Sequence, residues 1–424
     1  MTETNKTKSD MTLIGGIDVG NGYVKGVIKG SLPGSALQAI DEIDIPSAVL
    51  STSRPYPKTP RPDSDALKVM NGDFFNTLDA SFSSPLVRDE HRKIFGKAGM
   101  QASGSRFIEF NLGGEQLKAE QELSKVLVLG VFAAKALMDW VRDNGGDLPD
   151  REISADVFAG LALPIDEYVA KRTSYAAMFT GDVHLVTIKN FNTPVRVRLN
   201  FKEVAVMPEG ASAQFAINDK GLPLFELLLE DLRARGIELP GVEPRHLYEA
   251  KRTIGVDIGE GTVNFAVFSP DPATGRGAFN DNASKTLGVG YGSVLENALE
   301  NMRGQTDFPF SSRKSLSEVL QEEPNPLTQP RIDAAREYVN AEINDFADQV
   351  VDELDEVMSD AGITEVIYVY GGGSDPVKDI LYDQLLERIK SAPVCYLDAA
   401  YSRHLNREGL YLAANSAAKG FKND

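Results

Sequence analysis

Cysteine and histidine are scarce in this sequence of 424 residues, with one and four copies respectively. The single cysteine, Cys395, excludes a disulfide framework and a cysteine-rich metal site. A lone thiol fits the reducing conditions of the cytosol, so we expect a cytoplasmic protein. His91, His184, His246 and His404 show no metal-binding spacing, and each is expected to be hydrogen-bonded internally or solvated.

Long apolar runs are also lacking. No stretch of about 18 uncharged apolar residues occurs, so no membrane-spanning helix is expected. The longest candidate, Val126–Leu137, contains Lys135 and is predicted to be a buried helix. Met1–Met11 are polar, do not have the apolar run of a signal peptide, and are expected to form a flexible tail.

Positive charge is in deficit. The chain has 44 Lys and Arg residues against 62 Asp and Glu residues, a formal net charge of −18. Direct, non-specific binding to DNA or to an anionic membrane requires clustered Lys and Arg, and neither is expected. The hydrophobic share of 42% supports a large core. At about 150 residues per domain, this length indicates two or three folding units.

Short β-branched runs bounded by turn residues alternate with longer amphipathic segments, which indicates an α/β protein. The predicted strands are Leu13–Ile17, Val24–Ile28, Val157–Leu163, Val183–Ile188, Val195–Phe201, Thr253–Asp257, Val263–Phe268 and Val366–Tyr370. The predicted helices are 115–143, 209–218, 223–235, 291–302, 331–360 and 375–391. Two proline-bearing stretches, Ser51–Pro62 and Asp307–Pro330, are predicted to be irregular surface insertions, or else loops that contact a partner.

The most informative feature is an internal repeat. Residues 17–28 are IDVGNGYVKGVI and residues 256–267 are VDIGEGTVNFAV. Asp18 aligns with Asp257, Gly20 with Gly259, and Gly22 with Gly261. Each copy predicts an apolar strand ending in Asp, a Gly-x-Gly turn and a second apolar strand, which together form a hairpin.

The repeated hairpins have a chemical interpretation and a structural one. Glycines allow positive φ angles and let backbone N–H groups approach an anion. An Asp at the start of the turn can hold Mg²⁺ through its water shell. Lys25, on the second strand of the first hairpin, could reach a phosphate. The alternative is that Asp-x-Gly-x-Gly is simply good hairpin chemistry and that Lys25 is a solvated strand residue.

A third glycine-rich turn, Gly371-Gly372-Gly373, follows the strand Val366–Tyr370. Three glycines would let a flat ligand lie against the backbone, and the helix starting near Asp375 offers its N-terminus. Such a run is a weak signal by itself. The more common nucleotide-binding signatures, the Gly-x-x-x-x-Gly-Lys-Ser/Thr loop and a complete Gly-x-Gly-x-x-Gly before a helix, are both missing.

In this order, the segments resemble the actin-like ATPase superfamily, and most of all the ParM/StbA family of plasmid-segregation actins. The resemblance extends from about Leu13 to Leu412. The matching segments are Ile17–Lys25 (first phosphate loop), Ile45–Ser47 (IPS), Phe158–Tyr168, Glu203–Ala216 (with VMPE), Leu287–Val294 (LGVGYGSV), Val369–Pro376 (adenosine turn) and Gly409–Leu412 (closing helix).

The resemblance implies the roles of particular residues. Asp18 and Asp257 would organise Mg²⁺ and its waters, and Glu209 would orient the water that attacks ATP. The residues surrounding the phosphates of ATP or ADP would be Gly20, Asn21, Gly22, Lys25, Gly259, Glu260, Gly261 and Thr262. Gly371, Gly372 and Gly373 would support the adenosine, and Gly288 and Gly290 would shape the neighbouring wall.

Glu209 also has a simpler interpretation. The segment Val206–Glu209 is predicted to be the end of a strand followed by Pro208 at the first helical position, which places Glu209 in the first helical turn. A glutamate there suits the helix dipole without any catalytic role.

The implied fold is α/β, the two-domain actin-like (ribonuclease H-like) fold with a nucleotide cleft between the domains. After the tail 1–11, domain I would comprise 12–207 plus 400–424 and contain the first phosphate loop. Domain II would comprise 208–399 and contain the second phosphate loop and the adenosine turn.

The implied function is a cytomotive filament protein. Subunits would bind ATP and Mg²⁺, assemble head to tail through a contact that does not close, and hydrolyse ATP. The filament would push plasmid DNA apart through a DNA-binding adaptor protein of the ParR type, without direct contact with nucleic acid or membrane. The net charge of −18 predicts that salt and Mg²⁺ affect assembly.

Three other functions stay open. A metabolite kinase of the same superfamily would need a carboxylate base beside a polar substrate pocket, and no such base stands out beyond the residues already assigned. A heat-shock-type chaperone would need a β-rich substrate-binding region, which is not recognised after Gly373. A nucleotide-gated regulator is the third.

Overall fold

A computed structural model describes residues 9–35, 38–53, 60–89, 91–100, 106–110, 117–305, 308, 310 and 312–421. Contacts divide the chain into unit 1, Met1–Pro208 with Arg407–Asp424, and unit 2, Glu209–Asn406. The predicted tail Met1–Met11 lies outside the described residues up to residue 8, and Met11 begins the first strand.

Unit 1 is built on one sheet. Its strands are β1 (Met11–Val19), β2 (Tyr23–Ser31), β3 (Ile40–Pro46), β4 (Val49–Thr52), β5 (Asp79–Ser83), β6 (Arg92–Phe95), β7 (Arg106–Ile108), β8 (Ile153–Leu163), β9 (His184–Ile188) and β10 (Val195–Pro208). Their order across the sheet is β3-β2-β1-β8-β10-β9-β5-β6-β4-β7. The helices are α1 (Ala66–Met70), α2 (Gly96–Met100), α3 (Glu122–Asp143) and α4 (Ile165–Thr180).

Unit 2 has a smaller sheet. Its strands are β11 (Thr253–Ile258), β12 (Val263–Pro270), β13 (Gly277–Phe279), β14 (Lys285–Leu287), β15 (Val366–Tyr370) and β16 (Val394–Tyr396), in the order β13-β12-β11-β15-β16 with β14 also paired to β12. The helices are α5 (Ala211–Asp219), α6 (Leu222–Ala234), α7 (Pro244–Tyr248), α8 (Tyr291–Met302), α9 (Arg313–Gln321), α10 (Gln329–Ala361), α11 (Ser374–Arg388) and α12 (Ala399–Ser402). The last helix, α13 (Leu405–Phe421), starts in unit 2 and continues in unit 1.

The two sheets repeat one arrangement. In unit 1, β1 pairs antiparallel with β2 and parallel with β8, which pairs parallel with β10. In unit 2, β11 pairs antiparallel with β12 and parallel with β15, which pairs parallel with β16. The aspartates of the sequence repeat take equivalent places, since Asp18 is opposite Lys25 and Asp257 is opposite Asn264. The internal repeat is therefore a repeat of the sheet core.

All eight predicted strands overlap observed strands, and six of them, with five of the six predicted helices, match to within about three residues at each end. The other two strands are longer than predicted: β8 begins at Ile153 and not at Val157, and β10 continues past Phe201 to Pro208. The segment Val126–Leu137 is a buried part of α3, as predicted. Lys135 is tolerated there because its ammonium pairs with Asp139 at 2.5 Å and with Asp41 at 2.8 Å. The elements that were not predicted are strands β3–β7, β13, β14 and β16 and helices α1, α2, α4, α7, α9 and α12.

The sixth helix, predicted at 115–143, begins later, at Glu122. Residues 111–116 lie outside the described part of the chain. Residues Lys118–Glu120 form a turn, because the carboxylate of Glu167 accepts the backbone N–H groups of Lys118 and Ala119, both at 2.8 Å. These two N–H groups therefore bind a side chain, and the segment forms a turn before α3 and not its first helical turn.

The prediction of an irregular stretch at Asp307–Pro330 is also wrong in part. Helix α9 occupies Arg313–Gln321, and α10 begins at Gln329. Ser312 caps α9, since its hydroxyl accepts the backbone N–H of Ser315 at 3.1 Å, which satisfies a donor at the helix start. In the other proline-bearing stretch, Ser51–Pro62, residues 54–59 lie outside the described part.

Within the described residues, no helix combines the length and the apolar character required to cross a membrane.

Candidate nucleotide site

The first predicted phosphate loop is the tip of the β1–β2 hairpin. The backbone N–H of Gly20 donates to the carbonyl of Tyr23 at 3.0 Å and closes the turn over Asn21 and Gly22. Asp18 and Lys25 face each other across the two strands and are both half-buried. Residues directly opposite in a sheet share a face, so the two charged side chains lie on the same face of the hairpin below the turn.

Ser47, in the bend directly after β3, anchors this turn. Its hydroxyl donates to the carbonyl of Gly20 at 2.6 Å, and its backbone N–H donates to the carbonyl of Gly22 at 2.9 Å. Ser47 is 2% exposed. Ser47 thus holds two carbonyls of the turn, which restrains the conformation of the hairpin tip.

The second hairpin, β11–β12, has the same geometry. The N–H of Gly259 donates to the carbonyl of Thr262 at 2.8 Å, closing the turn over Glu260 and Gly261. Asp257 lies at the end of β11 and is 6% exposed, whereas Glu260 at the tip is exposed.

The glycines of both hairpins act through lack of bulk and not through positive φ. None of Gly20, Gly22, Gly259 and Gly261 is among the described residues with positive φ, which corrects the expectation from the sequence. A Cβ on Gly20 would lie 2.9 Å from the carbonyl oxygen of Tyr23, and one on Gly259 would lie 3.1 Å from that of Thr262. Only glycine lets the turns close this tightly.

The predicted adenosine turn lies directly on the second hairpin. The N–H of Gly373 donates to the carbonyl of Ile258 at 2.8 Å. Gly371 has φ +106°, and a Cβ there would lie 2.6 Å from the backbone nitrogen of Ile258 and would also collide with the carboxylate of Asp257. Gly372, between them, is exposed, and α11 begins immediately afterwards at Ser374.

The start of α8 closes a second side of this hairpin. The N–H groups of Tyr291 and Gly292 donate to the carbonyls of Gly259 and Glu260 at 3.1 and 2.8 Å. A Cβ on Gly290 would lie 2.6 Å from the carbonyl oxygen of Glu260, so this glycine permits the contact. Gly288, predicted to belong to the same wall, is exposed with nothing near its Cβ position.

Asp257 is held by polar neighbours inside unit 2. The side-chain amide of Asn406 donates to its Oδ2 at 2.7 Å, and the hydroxyl of Ser212 donates to the amide oxygen of Asn406 at 3.1 Å. Tyr370 is fully buried and donates its hydroxyl to the carbonyl of Gly210 at 2.8 Å. Burial, reinforced by the charge of Asp257, raises the pKa of Tyr370 well above its usual range, so it remains a donor.

Glu209 does not occupy the first turn of a helix, and that prediction is wrong. β10 extends through Pro208, which pairs with Leu163, and α5 starts only at Ala211. Gly210 lies between them with φ +79°, a left-handed conformation that a right-handed helix cannot contain. A Cβ on Gly210 would lie 3.2 Å from the Cβ of Asp257. The half-buried Glu209 therefore precedes α5 by two residues and is the neighbour in sequence of a residue that lies against Asp257.

The aspartate of each hairpin has the kind of oxygen ligand that would suit Mg²⁺ in the presence of a nucleotide. The described residues contain no group of three or more His, Cys, Asp or Glu side chains able to hold a metal by themselves. Mg²⁺ is usually bound by one or two carboxylates with phosphate and water oxygens completing its shell. Asp18 and Asp257 offer hard oxygen ligands of this kind, each beside a turn lined with backbone N–H groups.

Comparison with known proteins supports the resemblance seen in the sequence. Residues 255–383 match the family model of the C-terminal region of archaeal MreB-like actin homologues. This segment contains the second hairpin, the start of α8 and the adenosine turn. No curated protein sequence matches the chain at a significant level.

Solved structures match over nearly the whole chain. The actin-like protein Alp7A is 14% identical with a TM-score of 0.61, over 96% of this chain and 97% of its own. The archaeal actin homologue Ta0583, in complex with ADP, is 14% identical with a TM-score of 0.55, over 95% and 99%. A ParM from a 15-stranded Clostridium botulinum filament is 14% identical with a TM-score of 0.55, over 96% and 100%.

The chain thus has the two-domain actin-like fold. Its structural neighbours include ParM proteins and an archaeal actin homologue.

Several residues of the candidate site were not predicted from the sequence. Ser47 belongs to the IPS segment, but nothing in that segment indicated that it binds both carbonyls of the hairpin turn. Tyr370 and Gly210 adjoin predicted residues and could have been suspected from that position. Asn406 has no local signal, because it lies 149 residues along the chain from the aspartate it contacts.

Proposed function

We propose that this protein binds and hydrolyses ATP with Mg²⁺ and assembles head to tail into filaments. The observation that carries the proposal is the repeated Asp-x-Gly-x-Gly hairpin, present once in each sheet at equivalent positions, with a glycine turn lying on the second copy. An ATPase requires fixed N–H groups for phosphate oxygens and carboxylates for the metal, and these hairpins offer both.

In this proposal, each hairpin binds nucleotide phosphates. Asp18 and Asp257 would hold Mg²⁺ through its waters, and the ion would supply positive charge next to the phosphates. The phosphates would be surrounded by Gly20, Asn21, Gly22, Lys25, Gly259, Glu260, Gly261 and Thr262. The adenosine would lie against Gly371, Gly372 and Gly373, with Gly290, and Gly288 at the exposed margin, forming the adjacent wall.

Hydrolysis would proceed by in-line attack of water on the γ-phosphate, and catalysis would come from positioning and charge stabilisation. Glu209 would orient the attacking water. Glu209 lies in the turn after β10 and before Gly210, which has a positive φ angle. This position supports the role, because a glutamate outside the helix is not explained by a favourable interaction with the helix dipole. Lys25 would stabilise charge on the phosphoryl oxygens.

Filament formation is supported by the ParM neighbour that was solved as a filament. A head-to-tail contact is heterologous and does not close, so it extends into a polymer. We further propose that the filament moves plasmid DNA through a DNA-binding adaptor protein of the ParR type. The net charge of −18 supports an indirect link to DNA, because the chain would repel the phosphate backbone.

The test is ATP binding and hydrolysis by the purified protein and by Asp257→Asn. The variant keeps the size of the side chain but loses its charge, so we expect hydrolysis to fall by about tenfold or more. Asp348→Asn, on the exposed face of α10, is the control and should hydrolyse ATP normally. Turnover that requires an added small-molecule acceptor would identify a kinase instead, and no binding of ATP would refute the proposal.

A further inference from the structure

The carboxylate of Asp257 is restrained on both oxygens. The amide nitrogen of Asn406 lies 2.7 Å from Oδ2. The other oxygen, Oδ1, lies so close to Gly371 that it would collide with a Cβ on that residue. The aspartate is 6% exposed, so solvent contributes little to its orientation.

Asn406 is itself oriented by a second buried group. The hydroxyl of Ser212 donates to the amide oxygen of Asn406 at 3.1 Å, and Ser212 is completely buried on the first turn of α5. With the oxygen occupied by a donor, the amide nitrogen must point to Asp257. The three side chains form one chain of hydrogen bonds, from Ser212 through Asn406 to Asp257.

Few side chains can fill this place. Asparagine accepts a hydrogen bond on one atom and donates one from the other, at a fixed separation. An aspartate at 406 would bring two carboxylates together, and an apolar residue would leave the buried hydroxyl of Ser212 without its acceptor.

We propose that Asn406 is a positioning residue that holds the Asp257 carboxylate in the orientation needed for the water shell of Mg²⁺. This inference rests on the proposed function, since it assigns Asp257 to the metal–nucleotide complex. Groups that orient the ligands of a metal typically contribute about 10–100-fold to metal affinity or activity. Asn406 would therefore affect how strongly Mg²⁺ improves ATP binding, by way of the Asp257 carboxylate that it contacts.

The experiment compares the wild type with Asn406→Ala and Ser212→Ala. ATP affinity is measured by calorimetry in EDTA and again in excess Mg²⁺, alongside kcat, KM and thermal unfolding. Asn406→Ala should bind ATP in EDTA as the wild type does. In excess Mg²⁺ its affinity gain should shrink by about tenfold or more, and kcat should fall with it.

Ser212→Ala keeps the Asn406–Asp257 bond but frees the amide to rotate, so the same changes should appear at a smaller size, about fivefold. Asn344→Ala, on the exposed face of α10, is the control and should match the wild type in every measurement. If Asn406→Ala fails to fold, Ser212→Ala alone decides the outcome.

A folded Asn406→Ala protein with the wild-type gain from Mg²⁺ and the wild-type kcat would overturn this inference. Lower thermal stability with an unchanged gain would also overturn it, since that pattern indicates a purely structural role. Failure of the wild type to bind ATP at all would instead reject the proposed function, so the two failures can be told apart.

Discussion

Gly371 has no room for a side chain. Its φ of +106° is unfavourable for other residues, and a Cβ would meet the backbone of Ile258 and the carboxylate of Asp257. The first effect is local strain, while the second reaches the proposed metal-binding aspartate. The two effects can be separated by comparison with a glycine that has a similar backbone but empty surroundings.

We predict that Gly371→Ala weakens ATP binding by about tenfold or more, because the adenosine turn must move away from the second hairpin. Gly241→Ala is the matched control, with φ +77° and nothing within 4 Å of its Cβ position. It should lose some stability but keep its affinity. Equal ATP affinities for the two variants, measured by calorimetry, would argue against the proposed turn.

His184 is a buried histidine with both ring nitrogens engaged. Nδ1 lies 2.8 Å from the hydroxyl of Ser84, and Nε2 lies 2.9 Å from the carbonyl of Phe179. A neutral ring satisfies both, with Nε2 donating and Nδ1 accepting. These two hydrogen bonds agree with one of the environments expected from the sequence, internal hydrogen bonding. Burial lowers the pKa of His184 below its ordinary value.

We predict that acid weakens unit 1 through His184. Below the ordinary histidine pKa of about 6.5, the unfolded chain takes up a proton that the folded chain resists, so this stability is present above that pH and is lost as pH falls. Urea unfolding at pH 7.5 and 5.5 should show a smaller loss in His184→Gln than in the wild type. Exposed His91→Gln is the control, and an identical loss in all three proteins would contradict the assignment.

At the scale of elements, α13 packs against the centre of the unit 1 sheet. Gly16 of β1 and Gly160 of β8 are paired neighbours, and both face this helix. A Cβ on Gly16 would lie 2.6 Å from the carbonyl carbon of Leu410, and one on Gly160 would lie 2.7 Å from the same atom. Two adjacent glycines thus let the helix backbone touch the sheet.

We predict that Gly160→Ala lowers the free energy of unfolding by about 1–3 kcal/mol, since an added methyl group would push α13 off the sheet. Gly420→Ala, in the same helix with open space around it, is the control and should instead raise stability by up to about 1 kcal/mol. Chemical denaturation measures both. Equal stabilities for the two variants would show that the close contact is unimportant.

The sheet cores could be predicted from the sequence because their signal is local. Strands such as Val366–Tyr370 are short, β-branched and bounded by turns, and the Asp-x-Gly-x-Gly repeat marks both hairpins. The closing helix was also foreseen, on the resemblance of Gly409–Leu412, and α13 contains that segment.

What could not be predicted depends on distant contacts or on a weak pattern. Helix α4 is largely exposed, so its apolar periodicity is faint. The late start of α3 depends on Glu167, about 50 residues away, and the orientation of Asp257 depends on Asn406, 149 residues away. These contacts cannot be inferred from neighbouring residues in the sequence, because they form only when distant segments come together in the folded chain.

At the scale of the whole molecule, the chain is a duplicated sheet core with different additions in each unit. The duplication explains why two aspartates, two Gly-x-Gly turns and two sets of N–H groups occur. Subunits carrying a net charge of −18 would repel one another in a filament. Assembly would therefore need a driving force that depends on nucleotide, and Glu209 would decide how long that force lasts.

Sedimentation and negative-stain electron microscopy of the wild type and Glu209→Gln, each with ATP and Mg²⁺, test this account most directly. The wild type should form filaments that disappear as ATP is consumed. Glu209→Gln should form filaments that persist, because ATP is bound but hydrolysed slowly. Absence of filaments in both proteins, despite bound ATP, would contradict the account, and so would wild-type hydrolysis by Glu209→Gln.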